Sequence, residues 1–428
     1  MERMVRGAMI LGMLLVVVLA VASCAPGAAP TPTSTTAPAA TPAAAPKIEA
    51  TKPAATSPTA PPKALAPYKI GVVLSQSGPF SGLGIPGREA AVATVNEINA
   101  AGGVNGRKLD LVVEDDGGDE TKAILAVKKL IDTDKVLAFV GPTGTGLSMA
   151  AIPVIEEAKV AALVYSGSDA PVDPVRKYVF KFVPGDRKIY PEIHAYFKSK
   201  GVKKLAVLYP ATATGKSALA FIQSNAPKEG FELVAPESYD VNDKDFAAQL
   251  TKIKAAGGEA LIIPDSSVAT ALIARQMKTL GLNIPWSGPY GLASPVNVQT
   301  AGDAFDGLVL PVPKVYVAKE LPDSDPQKKV SLDFQASVQK ATGKETDPIA
   351  MHGWDGVMII SEALRKNNPD PANLEDARAK VRDGIESLKG FPAVVGVLTL
   401  SPQDHEGLPA GWSAMAELRG GKFSLFKK

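Results

Sequence analysis

Apolar positions change their spacing at regular intervals from residue 68 onward. A short apolar run at 69–74 is followed at 87–101 by apolar residues that recur on one helical face and stop at Gly102-Gly103. The first spacing is typical of a buried strand and the second of a helix. The alternation recurs with short connections, which predicts a parallel sheet with helices on both faces. This first series comprises strands at 69–74, 109–113, 136–140 and 161–164 and helices at 87–101, 120–131 and 147–158.

A second series of the same kind begins near Pro184 and ends near Gly288, so the predicted fold class is α/β with two lobes. Ligands of open parallel sheets bind beyond the carboxyl ends of the strands, and two such sheets therefore predict one site in the cleft between them. The elements after Gly288 have no evident sheet of their own, and we expect them to pack on the first lobe. The second series comprises helices at 189–200, 217–228, 246–256 and 268–280 and strands at 205–209, 232–239 and 260–263; the last elements are a strand at 307–310 and helices at 330–342, 349–366 and 374–385.

The first 23 residues have the pattern of an export signal. Arg3 and Arg6 precede an apolar run at 7–22 that is too short, and too rich in small residues at its end, for a stable membrane-spanning helix. Residues 21–24, VASC, resemble a bacterial lipobox, which implies that Cys24 is acylated and that the chain is cut just before it. Cys24 is the only cysteine, so no second thiol competes for this link. An uncleaved signal anchor with an incidental cysteine is the alternative.

Composition separates a tether from a globular part. Residues 24–67 are mostly Ala, Pro, Thr and Ser, which predicts a disordered linker behind the lipid anchor. The chain carries 46 Lys and Arg against 44 Asp and Glu, well interspersed, and this balance argues against a nucleic-acid partner. His194, His352 and His405 have no metal-ligand neighbour at a recognised spacing, so we expect no metal and no cofactor.

Several short motifs follow one another in a characteristic order. Together they resemble the branched-chain amino-acid-binding (leucine/isoleucine/valine-binding) family of ABC-transporter substrate-binding proteins, from Tyr68 to about Leu400. The resemblance implies a periplasmic-binding-protein type I fold, in which two doubly wound α/β lobes are joined by a three-crossover hinge and close on a ligand. The first lobe is then expected to comprise 68–184 plus 289–400, and the second 185–288 plus 401–428. The motifs are SGPFSGLG at 77–84, NEINAAGGVNGR at 96–107, EDD at 114–116, DFAAQL at 245–250, IKAAG at 253–257, RQ at 275–276 and LGL at 280–282.

The resemblance assigns ligand contacts in two loops of the first lobe. In GPTGTG at 141–146 the family's hydroxyl residue, which binds the ligand carboxylate, matches Thr145, and glycines that open a helix suit an anion. A purely structural turn is the alternative. In the next loop the match falls on Gly167, through its carbonyl, and on Asp169, with Ser168 as a candidate one residue away. A carboxylate at Asp169 would favour a ligand with an extra donor or cation, although an exposed loop aspartate that caps the next turn is an equal reading.

The second lobe departs further from the family pattern. Thr214 stands where amino-acid binders commonly carry a tyrosine, and Ala269 stands where they carry the acidic partner of the ligand's α-ammonium group. Asp265 lies in the same loop and either takes over that charge or caps the following helix. Tyr290 and Leu83 match positions that line the family's pocket. These departures call into question the usual α-amino-acid ligand.

A near match to a phosphate-binding loop occurs at 210–217, PATATGKS. Pro210 stands where that loop needs its first glycine, and it lacks the N–H and the conformational freedom required to enclose phosphates. We therefore expect Lys216 to be a solvated residue at the start of a helix rather than a nucleotide ligand.

The function expected from these observations is solute capture without catalysis, because no nucleophile, base and orienting group occur together in one set of loops. The chain is expected to be an extracytoplasmic, lipid-anchored, monomeric receptor. It would bind a small polar solute, an amino acid or a related carboxylate or amide, and deliver it to an ABC permease when closed. The alternative is the ligand-sensing subunit of a signalling system, which would use the same fold and a separate partner protein.

Overall fold

The computed structural model describes residues 65–427. The predictions for the signal peptide at 1–23, for Cys24 and for all but the end of the linker lie outside the described residues. Within the described part of the chain, no helix is long and apolar enough to cross a membrane.

The first sheet has five parallel strands in the order β2-β1-β3-β4-β5. Two of its three inner strands, β3 and β4, are buried along their whole length, as expected for a parallel sheet covered on both faces. The pattern of the sequence predicted four of these strands, whereas the three-residue β5 is too short to show a period. The elements are β1 (Tyr68–Val73), α1 (Ser81–Ala100), β2 (Leu109–Glu114), α2 (Glu120–Lys128), β3 (Ala138–Thr143), α3 (Thr145–Ala158), β4 (Ala161–Tyr165) and β5 (Val179–Lys181).

The second sheet has four parallel strands in the order β7-β6-β8-β9. Its helices alternate with its strands along the chain, so the predicted second α/β lobe is confirmed. The elements are α4 (Asp186–Ser199), β6 (Lys204–Pro210), α5 (Ala213–Asn225), β7 (Glu232–Tyr239), α6 (Ala247–Ala255), β8 (Ala260–Ile262), α7 (Ala269–Thr279) and β9 (Trp286–Ser287).

The remaining elements divide between two places. Helices α10 and α11 pack on the first sheet, as the sequence predicted. Strand β10 does not, because it pairs antiparallel with β13, and β13 pairs with β14. The expectation that this strand lacks a sheet was therefore wrong, while the lobe boundaries themselves stay a prediction. The elements are α8 (Pro295–Ala301), β10 (Leu308–Pro313), α9 (Pro326–Thr342), α10 (Met351–Asn367), α11 (Leu374–Glu386), β11 (Phe391–Pro392), β12 (Val397–Leu398), β13 (Ser413–Arg419) and β14 (Lys422–Leu425).

Two hydrophobic cores cover the two faces of the first sheet, because successive residues of a strand point to opposite sides. Phe139 of β3 lies in one core with Val127 of α2, and its neighbour Val140 lies in the other with Ala90 of α1 and Ile360 of α10. The second core continues into the second lobe, so both sheets share apolar packing.

Close approach of two helices fixes the position of α10. A Cβ atom on Gly353 would lie 1.7 Å from the carbonyl oxygen of Gly87 in α1, and one on Gly356 would lie 2.5 Å from a methyl group of Val140. Only glycine fits at these positions, so the sequence allows α10 to lie directly against both α1 and the sheet.

Candidate functional site

A cavity lies where the carboxyl ends of the two parallel sheets face each other. Its volume is about 680 Å³, including the space open to solvent. Strands of one parallel sheet all end at the same edge, so the loops that follow them converge there. This is the place that the strand–helix alternation predicted.

The first lobe supplies one wall of the cavity. Gly144 follows β3, Gly167 follows β4, and Val183 and Pro184 follow β5 on the way to the second lobe. Gly144 has a φ of +87°, a conformation that favours glycine, and helix α3 begins at the next residue. The first N–H groups of a helix have no partner within it and attract negative charge. The wall therefore combines a helix start with apolar side chains.

The second lobe supplies the opposite wall. Thr212 and Thr214 follow β6, Asp265 follows β8, and Tyr290 follows β9. The two walls approach closely, since a Cβ atom on Gly167 would lie 3.8 Å from the Cγ2 atom of Thr214. Of the residues predicted from the sequence, Leu83, Gly167, Thr214, Asp265 and Tyr290 line this cavity, whereas Thr145, Ser168 and Asp169 are not among its lining residues.

Thr145 uses its hydroxyl within its own lobe. Its Oγ1 lies 3.0 Å from the Oγ of Ser166, which itself donates to the carbonyl oxygen of Ser168. Because the single proton of Ser166 goes to that carbonyl, the Thr145 hydroxyl is the donor of the first bond. The side chain is 1 % exposed. In this conformation Thr145 supports the loop, and the neighbouring Gly144 reaches the cavity.

Asp169 belongs to a buried group of charges beside the first crossover. Its carboxylate accepts the backbone N–H of Arg187 at 3.0 Å and lies 3.8 Å from the Nζ of Lys181. Lys181 is fully buried and also contacts Glu406 at 3.0 Å. The expectation of an exposed loop aspartate at this position was wrong, because Asp169 is only 8 % exposed.

Ser168 joins the two lobes. Its Oγ lies 2.7 Å from the Oγ of Ser217 in α5, and Ser217 donates to Asp186 of α4 at 2.6 Å. Burial raises the pKa of the Asp186 carboxyl to about 7. The three side chains form a chain of hydrogen bonds across the cleft, so the structure holds the lobes in contact.

Asp265 has a full set of donors. Its carboxylate accepts the backbone N–H groups of Ser266 and Ser267, at 2.7 and 3.0 Å, and the hydroxyls of Tyr239 and Ser267. A carboxylate has about four lone-pair positions, and all are used here by the described residues. The geometry thus favours the structural reading of Asp265, at the turn before α7, although the side chain borders the cavity.

Aromatic residues that the sequence analysis did not select complete the cavity: Phe80, Tyr165 and Tyr190. Tyr165 ends strand β4, so its position at the carboxyl edge of the sheet was the available signal. Its ring lies 4.4 Å from that of His352, whose Nε2 is 2.8 Å from the hydroxyl of Tyr290. Complete burial lowers the pKa of His352 to about 3, so this histidine is neutral.

The segment that resembles a phosphate-binding loop has the structure of an ordinary helix start. Thr212 caps α5 by accepting the N–H of Gly215 at 3.3 Å, and Lys216 is exposed. A Cβ atom on Gly215 would lie 2.1 Å from the carbonyl oxygen of Pro210, which explains the glycine without any ligand. Within residues 65–427, no cluster of three or more His, Cys, Asp or Glu side chains is placed to hold a metal ion.

Known proteins resemble this chain along nearly all of its described residues. A family model described as periplasmic binding protein matches residues 67–422. A leucine-, isoleucine-, valine-, threonine- and alanine-binding protein of Pseudomonas aeruginosa is 26% identical over 314 residues, which cover 72% of this chain and 81% of the relative. A second protein of the same species, named amino acid binding protein, is 29% identical over 319 residues, covering 73% and 82%.

Solved structures agree in fold. An extracellular ligand-binding receptor from Rhodopseudomonas palustris HaA2 superposes with a TM-score of 0.79 at 26% identity, covering 84% of this chain and 99% of that one. The branched-chain amino acid transporter substrate-binding protein of Streptococcus pneumoniae, solved with isoleucine, has a TM-score of 0.72 at 23% identity and covers 83% and 97%.

Proposed function

Since this chain belongs to the periplasmic binding protein family, we propose that it captures a small polar solute between its lobes and delivers it to an ABC permease. The family binds solutes outside the cytoplasm and is not enzymatic. The proposed solute is an amino acid or a related carboxylate or amide. Attachment to the membrane through Cys24 is part of the same proposal.

The observation that carries this proposal is the cavity at the facing carboxyl edges of two parallel sheets. Gly144 and Gly167 bring backbone to its wall, and the start of α3 beside Gly144 suits a ligand carboxylate. Leu83, Thr214 and Tyr290 are proposed to contact the ligand directly. Thr145, Ser168, Asp169 and Asp265 are proposed to hold the loops that do so.

The names of the Pseudomonas relatives support amino acids as the first ligands to test. The saturated carboxylate of Asp265 favours widening that choice, because the ligand's α-ammonium group has no free acidic partner there among the described residues. Carboxylates without an amino group belong in the same screen.

The test is a thermal-shift screen of the purified protein, followed by calorimetry of each hit. The panel contains leucine, isoleucine, valine, threonine, alanine, phenylacetate and benzoate. A ligand at a hundred times its Kd stabilises the folded state by about 2.7 kcal/mol, which raises the melting temperature measurably. Absence of any shift across the panel would count against the proposal.

A pair of variants locates binding in the cavity. Gly167→Leu adds a side chain between the two walls, where Thr214 lies close, and should abolish the shift. Ala220→Leu adds three of the same four side-chain carbons on the exposed surface of α5 and should leave the shift unchanged. Equal binding by both variants would place the ligand elsewhere.

A further inference from the structure

Three residues from separate parts of the chain meet at the back of the cavity. Tyr165 comes from the end of β4, Tyr290 from the loop after β9 and His352 from α10. The Tyr290 hydroxyl and the His352 Nε2 are 2.8 Å apart, and the ring of Tyr165 lies 4.4 Å from the imidazole. All three side chains are at least nine-tenths buried, and both tyrosines line the cavity.

Polar atoms without partners gather around Tyr290. The hydroxyls of Tyr165 and Tyr316, the Nδ1 of His352 and the Nε1 of Trp412 have no hydrogen-bond partner among the described residues. The rings of Tyr316 and Trp412 lie 6.1 and 6.3 Å from that of Tyr290. Buried polar groups in folded proteins are nearly always paired, so several unpaired groups in one place call for a partner.

The electrostatics of this region select the kind of partner. The imidazole of His352 is neutral. Burial is the main cause that raises the pKa of both Tyr165 and Tyr316, and the nearby carboxyl of Asp347 adds to the rise. Burial also raises the pKa of Asp347 itself, to about 7. An ionised group buried here would have only neutral partners among these side chains, which disfavours it. A neutral group that both donates and accepts hydrogen bonds would be satisfied on both sides.

Much of the cavity lining is apolar. Phe80, Leu83, Val183, Ile189 and Ile349 line the same cavity. The cavity wall therefore combines a helix start and apolar side chains with Tyr165 and Tyr290, and the unpaired polar atoms lie buried at and behind these two tyrosines.

We propose that Tyr165 and Tyr290, which line the cavity, form with Tyr316 and His352 behind them a subsite for a neutral hydroxyl or primary amide at the far end of the solute. This inference rests on the proposed function and narrows its ligand class. The protein then takes solutes with a polar tip beyond an apolar body, in preference to plain alkyl or phenyl side chains.

Three matched pairs of probes test the subsite by calorimetry: tyrosine with phenylalanine, 4-hydroxybenzoate with benzoate, and glutamine with leucine. The member with the polar tip should bind more tightly by roughly 5- to 100-fold in at least one pair. Tyr165→Phe removes one hydroxyl and keeps the ring, so it should abolish most of this preference. Tyr316→Phe should reduce the preference in part.

Tyr178→Phe is the matched control, because it removes a hydroxyl from a tyrosine that packs beside the opposite core of the first lobe. It should not alter the preference. Since the Tyr165 hydroxyl has no partner among the described residues, Tyr165→Phe should fold with an unchanged melting temperature, which circular dichroism checks.

The outcomes separate this inference from the proposed function. Binding of plain members with equal affinity, unaffected by Tyr165→Phe, overturns the subsite and leaves solute capture standing. Equal weakening of both members by Tyr165→Phe means that the hydroxyl does not distinguish the polar tip, and this also overturns the subsite. If no probe binds the wild-type protein, the proposed function fails and the subsite fails with it.

Discussion

Asp186 gives the most direct link between a buried charge and the stability of this protein. The carboxyl lies at the start of α4, accepts a hydrogen bond from Ser217 and has one oxygen without a partner among the described residues. Burial raises its pKa from 3.8 to about 7, with the charge of Asp169 adding to the rise and that of Lys181 opposing it. The folded state therefore binds a proton that the unfolded state releases.

The sign of the pH effect follows from this difference. A raised pKa in the folded state adds stability at low pH, and that stability is lost as the pH rises toward and through 7. Between pH 5 and pH 8 a shift from 3.8 to about 7 corresponds to a loss of about 3 kcal/mol. Structural relaxation around the charge reduces this figure, so we expect roughly 1 to 3 kcal/mol.

Urea unfolding of the wild type and of Asp186→Asn at pH 5 and pH 8 measures the effect. Asparagine keeps an acceptor for Ser217 and does not titrate. Asp347 and Asp355 also have pKa values raised to about 7, and they titrate in the wild type and in the variant alike. The difference in the free energy of unfolding between the two proteins therefore isolates the effect of Asp186. The variant should gain stability relative to the wild type as the pH rises. If the free energies of unfolding of the two proteins differ by the same amount at pH 5 and at pH 8, the reasoning is refuted.

Three further predictions concern other parts of the chain. Cys24→Ser should leave the protein unacylated, and either uncut at this site or released from the membrane. Labelling with a radioactive fatty acid and membrane fractionation measure these outcomes, and normal membrane attachment of the variant would rule out Cys24 as the anchor. Thr145→Val removes a buried hydrogen bond, so urea unfolding should show a loss of about 1 to 2 kcal/mol in the ligand-free protein; unchanged stability with weaker binding would instead place this hydroxyl at the ligand. Gly353→Ala forces a methyl group against the backbone of Gly87 and should lower the free energy of unfolding by about 1 to 3 kcal/mol. Gly82→Ala, where α1 has room for a methyl group, should cost little. Equal melting temperatures of the two variants would contradict the close packing of α10 on α1.

Spacing along the chain predicted most of the strands and helices that are long enough to show a period, but it missed the seven-residue strand β13. Strand β7 was predicted at 232–239, its observed bounds. Strand β9 has two residues and shows no period. The partner of β10 was not predictable either, since Leu308 pairs with Leu418 across more than a hundred residues.

The site was predicted in location better than in detail. Loops after parallel strands had to converge, and residues such as Gly167 and Tyr290 therefore line the cavity. The surroundings of Asp169 depend on Lys181 and on Glu406, which lies 225 residues beyond that lysine, and no local pattern reveals such a partner. Tyr165 was missed because the predicted strand stops at residue 164, one residue short of the tyrosine that ends β4.

The covering of the first sheet by α10 and α11 sets an order of events during synthesis. The last strand of that sheet ends at Lys181, but α10 begins only at Met351. Until this later stretch emerges, the face of the sheet that carries Val140 has no covering from α10, and the first lobe cannot complete its folding. The first lobe therefore stays unfinished while the whole second series of strands and helices is synthesised.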